Sequence, residues 1–259
     1  MKKPVTYISA SQIGTFLTCP IMYKKNYLEG RERMPPNIYM SYGTAVHHAL
    51  AINYEQKIKS KKDLDWKEVY GHFVGKFAEE CAVNSHGDLS LINFLNLAAE
   101  NSIAWYMDNI APTIQPRLVE HKFELKLSKF PITIMGYIDL ITDDDIIVDH
   151  KTAGKSWKSQ YTPSKVDKNM QLTMYSAAFR KLFKRAEKGV RFDVITRADN
   201  KTYSKDSVRS DKQVIDLLTM ATKIEQIIEL GVFIPNFNSC SMCPYRHECN
   251  KQIFIEKKS

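Results

Sequence analysis

The sequence predicts an α/β protein in which a mixed β-sheet is flanked by helices. Apolar residues recur at helical spacing in the first part of the chain, alternate with polar ones in the middle, and return to helical spacing between the later strands. A chain of 259 residues can bury a substantial core. We expect a helical portion over 1–115, a sheet core over 116–200, and a C-terminal helix with a cysteine-rich segment over 201–259 that packs with the N-terminus as one unit.

Helix signals follow one another along the first region. Ser9 can cap a first helix, and Pro20 can open a second one that ends at Gly30. A third helix is predicted from Gly43 onward and carries His47. Apolar residues at helical spacing support these helices and predict two more: Ile13, Phe16, Ile21, Tyr23, Tyr27, Val46, Leu50, Tyr54, Trp66, Val69, Phe73, Phe77, Leu91, Leu95, Ala98 and Trp105.

The pattern then changes to that of strands. Apolar and polar residues alternate over 119–127, and two apolar strands follow over 136–141 and 146–151. The acidic residues at 143–145 predict a turn that joins these two strands as an antiparallel pair. The later segments predict, in order, a helix over 164–184, a strand over 190–196 and a helix over 214–228.

The antiparallel pair is expected to bring three charged side chains to one place. Asp149 and Lys151 are two apart in a strand and share a face, whereas His150 points away, and pairing can bring Asp139 to the same side. The apolar run 146–148 predicts a central strand, where unpaired charges are costly. Two carboxylates could hold Mg²⁺ or Mn²⁺, with the lysine beside an attacking water, as phosphodiester cleavage requires. Taken singly, each residue is also typical of a solvated strand end.

Cysteines provide the second signal. Cys240, Cys243 and Cys249 lie close together near the C-terminus, Cys19 lies near the N-terminus, and Cys81 stands alone in a predicted helix. Four thiolates suit a structural Zn²⁺ or an iron–sulfur cluster, and the spacing does not choose between them. Either group would join the two ends of the chain. Small buried thiols are the simpler alternative for the C-terminal three.

Composition limits the remaining classes of protein. The formal net charge of +8 is compatible with a polyanionic partner but does not require one. No apolar run approaches the length of a membrane span, and no signal-peptide core follows Met1, so we expect an intracellular, reducing location. The segment Ala153-Gly154-Lys155-Ser156 resembles the end of a phosphate-binding loop, but Asp149 stands where that loop requires glycine. ATP hydrolysis is therefore unsupported.

Six short motifs occur in a characteristic order from residue 9 to residue 249. They are Ser9-x-Ser11 with Cys19-Pro20, Gly43-Thr44-Ala45-Val46-His47, Gly136-Tyr137-Ile138-Asp139, Asp149-His150-Lys151, Gln171-x3-Tyr175, and the final cysteines Cys240, Cys243 and Cys249. In sequence and order they resemble the RecB-like branch of the PD-(D/E)XK nuclease superfamily. The sequence is more closely similar to the iron–sulfur exonucleases of that branch, which include CRISPR-associated adaptation nucleases and stand-alone phage or bacterial exonucleases.

The resemblance implies a restriction-endonuclease-like sheet and a role for each matching residue. His47, Asp139 and Asp149 would hold Mg²⁺ or Mn²⁺, with the His150 carbonyl as a further oxygen donor. Lys151 would orient the water or help to deprotonate it, and would stabilise developing phosphate charge.

Further residues follow from the same resemblance. Gln171 and Tyr175 would support the site and contact substrate, and Glu120 matches loosely a strand glutamate of the family. The four cysteines, Cys19, Cys240, Cys243 and Cys249, would ligate a [4Fe–4S] cluster, with zinc as the alternative.

The implied activity is that of a DNA exonuclease acting on ends or single-stranded tails in recombination, repair or CRISPR adaptation. A helicase or a CRISPR integrase is an expected partner, in the cytoplasm of a bacterium, an archaeon or a phage-infected cell. A structure-specific endonuclease and a non-catalytic iron–sulfur DNA-binding subunit remain alternatives. Tyr23, Tyr39 and Tyr42 are candidate surfaces for stacking bases, with packing as the favoured interpretation.

Overall fold

Helices precede, interrupt and follow a β-sheet in the computed structural model, which describes residues 7–30, 35–127 and 130–249. The α-helices are α1 (Ala10–Thr18), α2 (Pro20–Tyr23), α3 (Ile38–Ser60), α4 (Trp66–Val83), α5 (Leu89–Asn109), α6 (Trp157–Gln160), α7 (Pro163–Asp167), α8 (Met170–Phe183) and α9 (Asp211–Glu229). The strands are β1 (Pro116–Leu127), β2 (Phe130–Thr142), β3 (Ile146–Ala153), β4 (Gly189–Thr196) and β5 (Thr202–Ser207). A π-helical turn spans Lys24–Leu28, and 3-10 turns span Ala111–Thr113 and Phe237–Met242.

The described strands form a mixed sheet in the order β1-β2-β3-β4-β5. β3 and β4 run parallel, whereas β2 with β3 and β4 with β5 run antiparallel, which confirms the predicted fold class. β3 is the central strand, and its apolar run is buried as expected. Leu140 lies opposite Val148 in the β2/β3 register, so Asp139 lies across from Asp149.

The structure differs from the prediction in several elements. The third helix begins at Ile38 rather than near Gly43, because the Asn37 side chain caps it by accepting from the backbone N–H groups of residues 39 and 40. The helix predicted over 164–184 is two helices, since α7 ends at Asp167 and the Asn169 side chain caps the start of α8. The strand β5 was not predicted, because its sequence, TYSKDS, lacks apolar alternation and its side chains are mostly half-buried or exposed.

The chain divides into two compact units. The second unit contains 35–123 and 136–214, with a core in which α3, α4 and α5 pack together through Tyr42, Phe73 and Phe77. A Cβ atom at Gly43 would lie 3.1 Å from Thr152 Oγ1. Glycine therefore allows α3 to approach β3 closely, one helical turn before His47.

The first unit contains the described residues of 7–30, 124–135 and 215–249. Asn236 Nδ2 and Ser239 Oγ both donate to the Thr18 carbonyl at 2.9 Å, and the Tyr245 hydroxyl donates to Asn26 Oδ1 at 2.6 Å. Polar contacts within this unit thus join the early and late parts of the chain. No described helix is both long and apolar enough to cross a lipid bilayer.

Candidate metal and catalytic site

The paired strands place two aspartates of the predicted site side by side in the second unit. Asp139 Oδ2 accepts a 2.8 Å hydrogen bond from the His150 backbone N–H and lies 3.2 Å from His47 Nδ1, which α3 supplies. Asp149 is fully buried; its Oδ2 lies 2.6 Å from Lys151 Nζ, and the Tyr175 hydroxyl also interacts with its carboxylate. A buried carboxylate needs such positive or donor partners, and a bound cation would be a further one.

Glu120 joins the same cluster. One ligand atom from each of His47, Glu120 and Asp139 lies within 4.8 Å of the others. The sequence alternation assigned Glu120 only to the polar face of a strand. In the structure its φ is +45°, a conformation that is rare outside glycine and concentrated at functional sites. The alternation of apolar and polar residues does not show which residue has a positive φ. Only the loose match to a family glutamate therefore pointed to Glu120.

The electrostatics of these acids reflect their crowding. Desolvation, followed by the charge of Asp139, raises the pKa of Glu120 to about 7. Desolvation, followed by the charge of Asp149, raises the pKa of Asp139 to about 6, against the opposing effects of His47 and the His150 N–H. The crowded carboxylates of Glu120, Asp139 and Asp149 repel one another when they are ionised. A bound divalent cation would offset this repulsion.

A chain of polar contacts extends from Asp149 to the helix α8. Lys151 Nζ donates to Gln171 Oε1 at 2.9 Å, and Gln171 Nε2 donates to the Tyr175 hydroxyl at 2.7 Å. Burial disfavours the charge on Lys151, but Asp149 outweighs it, so the pKa of Lys151 is raised above its ordinary value. A protonated ammonium cannot accept a proton. Of the roles expected for Lys151, the geometry therefore supports orientation and charge stabilisation over proton abstraction.

The His150 side chain lies in the core beside the cluster. Its Nε2 is 2.9 Å from the Tyr106 hydroxyl, and its ring stacks on Tyr54. Burial, followed by the charge of His47, holds the pKa of His150 well below its ordinary value, so the ring is neutral. The backbone N–H of His150 orients Asp139. The backbone carbonyl of His150 remains a candidate oxygen ligand for a metal ion.

The cluster opens into a cavity of about 1000 Å³ in the second unit. His47, Glu120 and Lys151 line it together with Arg197 and Tyr39. Gln171 and Tyr175 stand behind Lys151 and hold it through the contacts already described. The cavity therefore presents acids, a histidine and a lysine to any molecule that enters it.

The sequence matches the family profile of the PD-(D/E)XK nuclease superfamily over residues 7–250. The chain belongs to this superfamily. No curated protein matches the sequence significantly. The family match confirms the resemblance found in the sequence at the level of the superfamily.

A solved structure shares the fold of this chain. A crystal structure named "Putative exonuclease", from Eubacterium rectale, is similar over 94% of this chain and 88% of that one, with a TM-score of 0.58 and 15% sequence identity. At this identity the likeness shows the fold alone. The crystal structure of SSO0001 covers 94% of this chain and 85% of that one at 16% identity, with a TM-score of 0.38.

The donor atoms of the site fit the divalent metals that PD-(D/E)XK nucleases use. Carboxylate oxygens are the ligands that Mg²⁺ and Mn²⁺ prefer, and an imidazole nitrogen is also accepted by Mn²⁺. His47, Glu120 and Asp139 supply both kinds of donor, and β3 brings the buried carboxylate of Asp149 beside Asp139 of β2.

The cysteines predicted to act together lie together in the first unit. Cys19, Cys240, Cys243 and Cys249 line one small pocket, and all are free thiols. Burial, followed by the proximity of Cys19 and Cys240, raises the pKa of Cys249. Cys81 lies in the second unit on α4, apart from this pocket.

Four free thiols that line one pocket could together hold a structural Zn²⁺ or an iron–sulfur cluster.

The raised pKa values predict how metal binding depends on pH. A carboxyl whose folded pKa is raised contributes stability below its unfolded value, near pH 4, and loses it as pH rises through the folded value. Without metal, the stability contribution of Glu120 and Asp139 should thus fall between pH 4 and about pH 7. Mn²⁺ needs the ionised forms, so it should raise the melting temperature more at pH 8 than at pH 5.5.

Thermal denaturation with and without Mn²⁺ measures this difference. The Glu120→Gln variant, which removes one titrating group, should show a smaller Mn²⁺ effect at pH 8 and a smaller change with pH. An equal Mn²⁺ shift in both proteins at both pH values would remove Glu120 from the metal site.

Proposed function

We propose that this nuclease is a Mg²⁺- or Mn²⁺-dependent exonuclease that hydrolyses phosphodiester bonds at DNA ends or single-stranded tails. The observation that supports it best is the convergence of His47, Glu120 and Asp139 within 4.8 Å beside the Asp149–Lys151 pair. Deoxyribonuclease activity is what the superfamily suggests, and the structural likeness to a protein named as an exonuclease favours action at ends.

The residues of the site would divide the work of hydrolysis. A divalent cation held by His47, Glu120, Asp139 and Asp149 would polarise the phosphate and lower the pKa of a bound water. Lys151 would donate hydrogen bonds to the attacking water and to phosphate oxygens as negative charge develops. Asp149 keeps Lys151 protonated for this purpose, and Gln171 fixes the direction of its ammonium group.

The two competing functions explain the site less well. A DNA-binding subunit without catalysis would have no need of mutually repelling carboxyls, which cost the fold stability near neutral pH. A structure-specific endonuclease would use the same chemistry, so only the choice of substrate separates it from an exonuclease. A role in recombination, repair or CRISPR adaptation, with a helicase or an integrase as partner, fits an end-acting enzyme.

A [4Fe–4S] cluster is the second part of the proposal. Four free thiols in one pocket, together with the order of the family's cysteine motifs, support its assignment to Cys19, Cys240, Cys243 and Cys249, with zinc as the alternative. Thiolates that saturate the iron leave no open position for substrate water. The cluster would therefore stabilise the first unit rather than take part in hydrolysis.

The proposed function is tested with anaerobically purified protein and DNA of equal sequence in linear and circular form. With Mg²⁺ or Mn²⁺, linear strands labelled at one end should shorten progressively, while covalently closed circles persist. Rapid internal cutting of circles would favour the endonuclease, and no metal-dependent cleavage of any DNA would contradict the proposal.

A further inference from the structure

Arg197 is held at the mouth of the candidate active site by the backbone. It follows the last residue of β4, and its N–H donates to the Ala153 carbonyl at the end of β3 at 2.8 Å. β3 and β4 are parallel, so their carboxyl ends meet at the same edge of the sheet. Arg197 therefore lines the same cavity as Lys151, which lies two residues before the end of β3.

Two tyrosine rings of α3 fix the direction of the Arg197 guanidinium. Its Cζ lies 4.9 Å from the ring centre of Tyr39 and 5.1 Å from that of Tyr42. Tyr42 is fully buried and belongs to the core, whereas Tyr39 is 46% exposed and lines the cavity. Stacking of this kind orders a planar guanidinium before any ligand arrives.

Among the residues that the structure describes, none with an acidic side chain pairs with Arg197. Of the lysines and arginines that line the cavity within the described ranges, Lys76 contacts Glu79 and Glu80, and Lys151 contacts Asp149. Arg197 makes no ion pair or side-chain hydrogen bond with any described residue. Its partial burial lowers the pKa of the guanidinium, and within the described ranges only the rings of Tyr39 and Tyr42 offset this desolvation. Such a group is typical of a site that binds an anion.

We propose that Arg197 and Tyr39 form a nucleotide subsite, in which Arg197 binds a backbone phosphate next to the one being cleaved and Tyr39 stacks against an unpaired base. This inference rests on the proposed function only in taking nucleic acid as the substrate. The subsite and the metal site share one cavity, so a strand bound at the first reaches the second.

The chemistry of the subsite selects the class of nucleic acid. A tyrosine ring can stack on a base only when that base is free of its own neighbours, as in a single strand or a frayed end. Stacking and phosphate contacts are indifferent to base identity. The subsite therefore favours single-stranded DNA of any sequence over a closed duplex.

The test measures binding of a fluorescent single-stranded oligonucleotide across a series of salt concentrations, with EDTA present to prevent hydrolysis. Each phosphate contact in a single strand contributes about 0.7 to the slope of log affinity against log salt. Arg197→Ala should weaken binding about tenfold or more and reduce the slope by about 0.7. Tyr39→Ala should weaken binding about tenfold and leave the slope unchanged.

Two further variants make the result decisive. Arg185→Ala removes an arginine that contacts Asp145 outside the cavity, and it should change neither affinity nor slope beyond error. Arg197→Gln removes the charge but keeps the aliphatic carbons of the side chain and a planar polar end, and it replaces Arg197→Ala if circular dichroism shows that variant to be unfolded.

The outcomes separate this inference from the proposed function. An unchanged slope in a folded Arg197→Ala or Arg197→Gln protein would overturn the subsite even if wild-type protein cleaves DNA. A reduced slope would support the subsite even if no cleavage is found with Mg²⁺ or Mn²⁺.

Discussion

Asp149→Asn and Lys151→Met are each expected to lower the single-turnover rate of DNA hydrolysis by about a hundredfold or more. Asp149 holds Lys151 protonated at 2.6 Å and would offer a buried carboxylate to a cation, and Lys151 carries the positive charge that would face the phosphate. Both replacements preserve side-chain size, so the rate reports on charge and hydrogen bonding rather than on packing. Rates are compared at saturating DNA in Mg²⁺ and in Mn²⁺.

The control for this prediction separates catalysis from folding. Asp143→Asn changes an aspartate in the turn after β2, where the side chain is half exposed and pairs only loosely with Arg117, and it should keep the wild-type rate. Melting temperatures of all three variants show whether the buried pair was also structural. Wild-type hydrolysis by folded Lys151→Met would remove the lysine from the mechanism.

Replacing any one of Cys19, Cys240, Cys243 or Cys249 with alanine is expected to bleach a brown protein and lower its melting temperature. These thiols line one pocket and come from both ends of the chain, so a group that they share would join those ends. Visible absorption, with iron and sulfide analysis, measures the cluster. Calorimetry measures the stability.

Cys81→Ala is the matched control, because Cys81 is buried to the same extent as Cys19 but lies on α4 in the other unit. It should keep full colour and full iron content. Full colour in Cys19→Ala would remove that residue from the ligand set. Stoichiometric zinc without sulfide would contradict the iron–sulfur assignment and leave a four-cysteine zinc site.

The sequence was sufficient to predict the centre of the sheet because that strand pair combines two strong local signals. An apolar run predicts a buried strand, and the acidic turn at 143–145 sets an antiparallel partner. Together they place Asp139 across from Asp149. The edge strand β5 was not predicted, because an edge strand needs little apolar surface. Its backbone hydrogen bonds to β4 do not depend on the side-chain pattern, so the sequence does not show them.

Other parts of the site depend on the folded chain. The positive φ of Glu120 breaks the alternation that a strand pattern assumes, and the cation–π contacts of Arg197 join residues far apart in sequence. Neither has a local signature. The charge state of Lys151 also depends on the fold, because burial disfavours its charge and the nearby Asp149 carboxylate outweighs that effect. Only the three-dimensional arrangement reveals this balance.

The most direct test of the central claim is to locate the metal in the protein itself. Crystals soaked in Mn²⁺ are measured at a wavelength where manganese scatters anomalously, with Glu120→Gln crystals as the comparison. We expect a peak contacting His47, Glu120, Asp139 and Asp149 in wild-type protein, and a weaker peak in the variant. A well-occupied peak elsewhere in the molecule, with none at this cluster, would contradict the assignment of the active site.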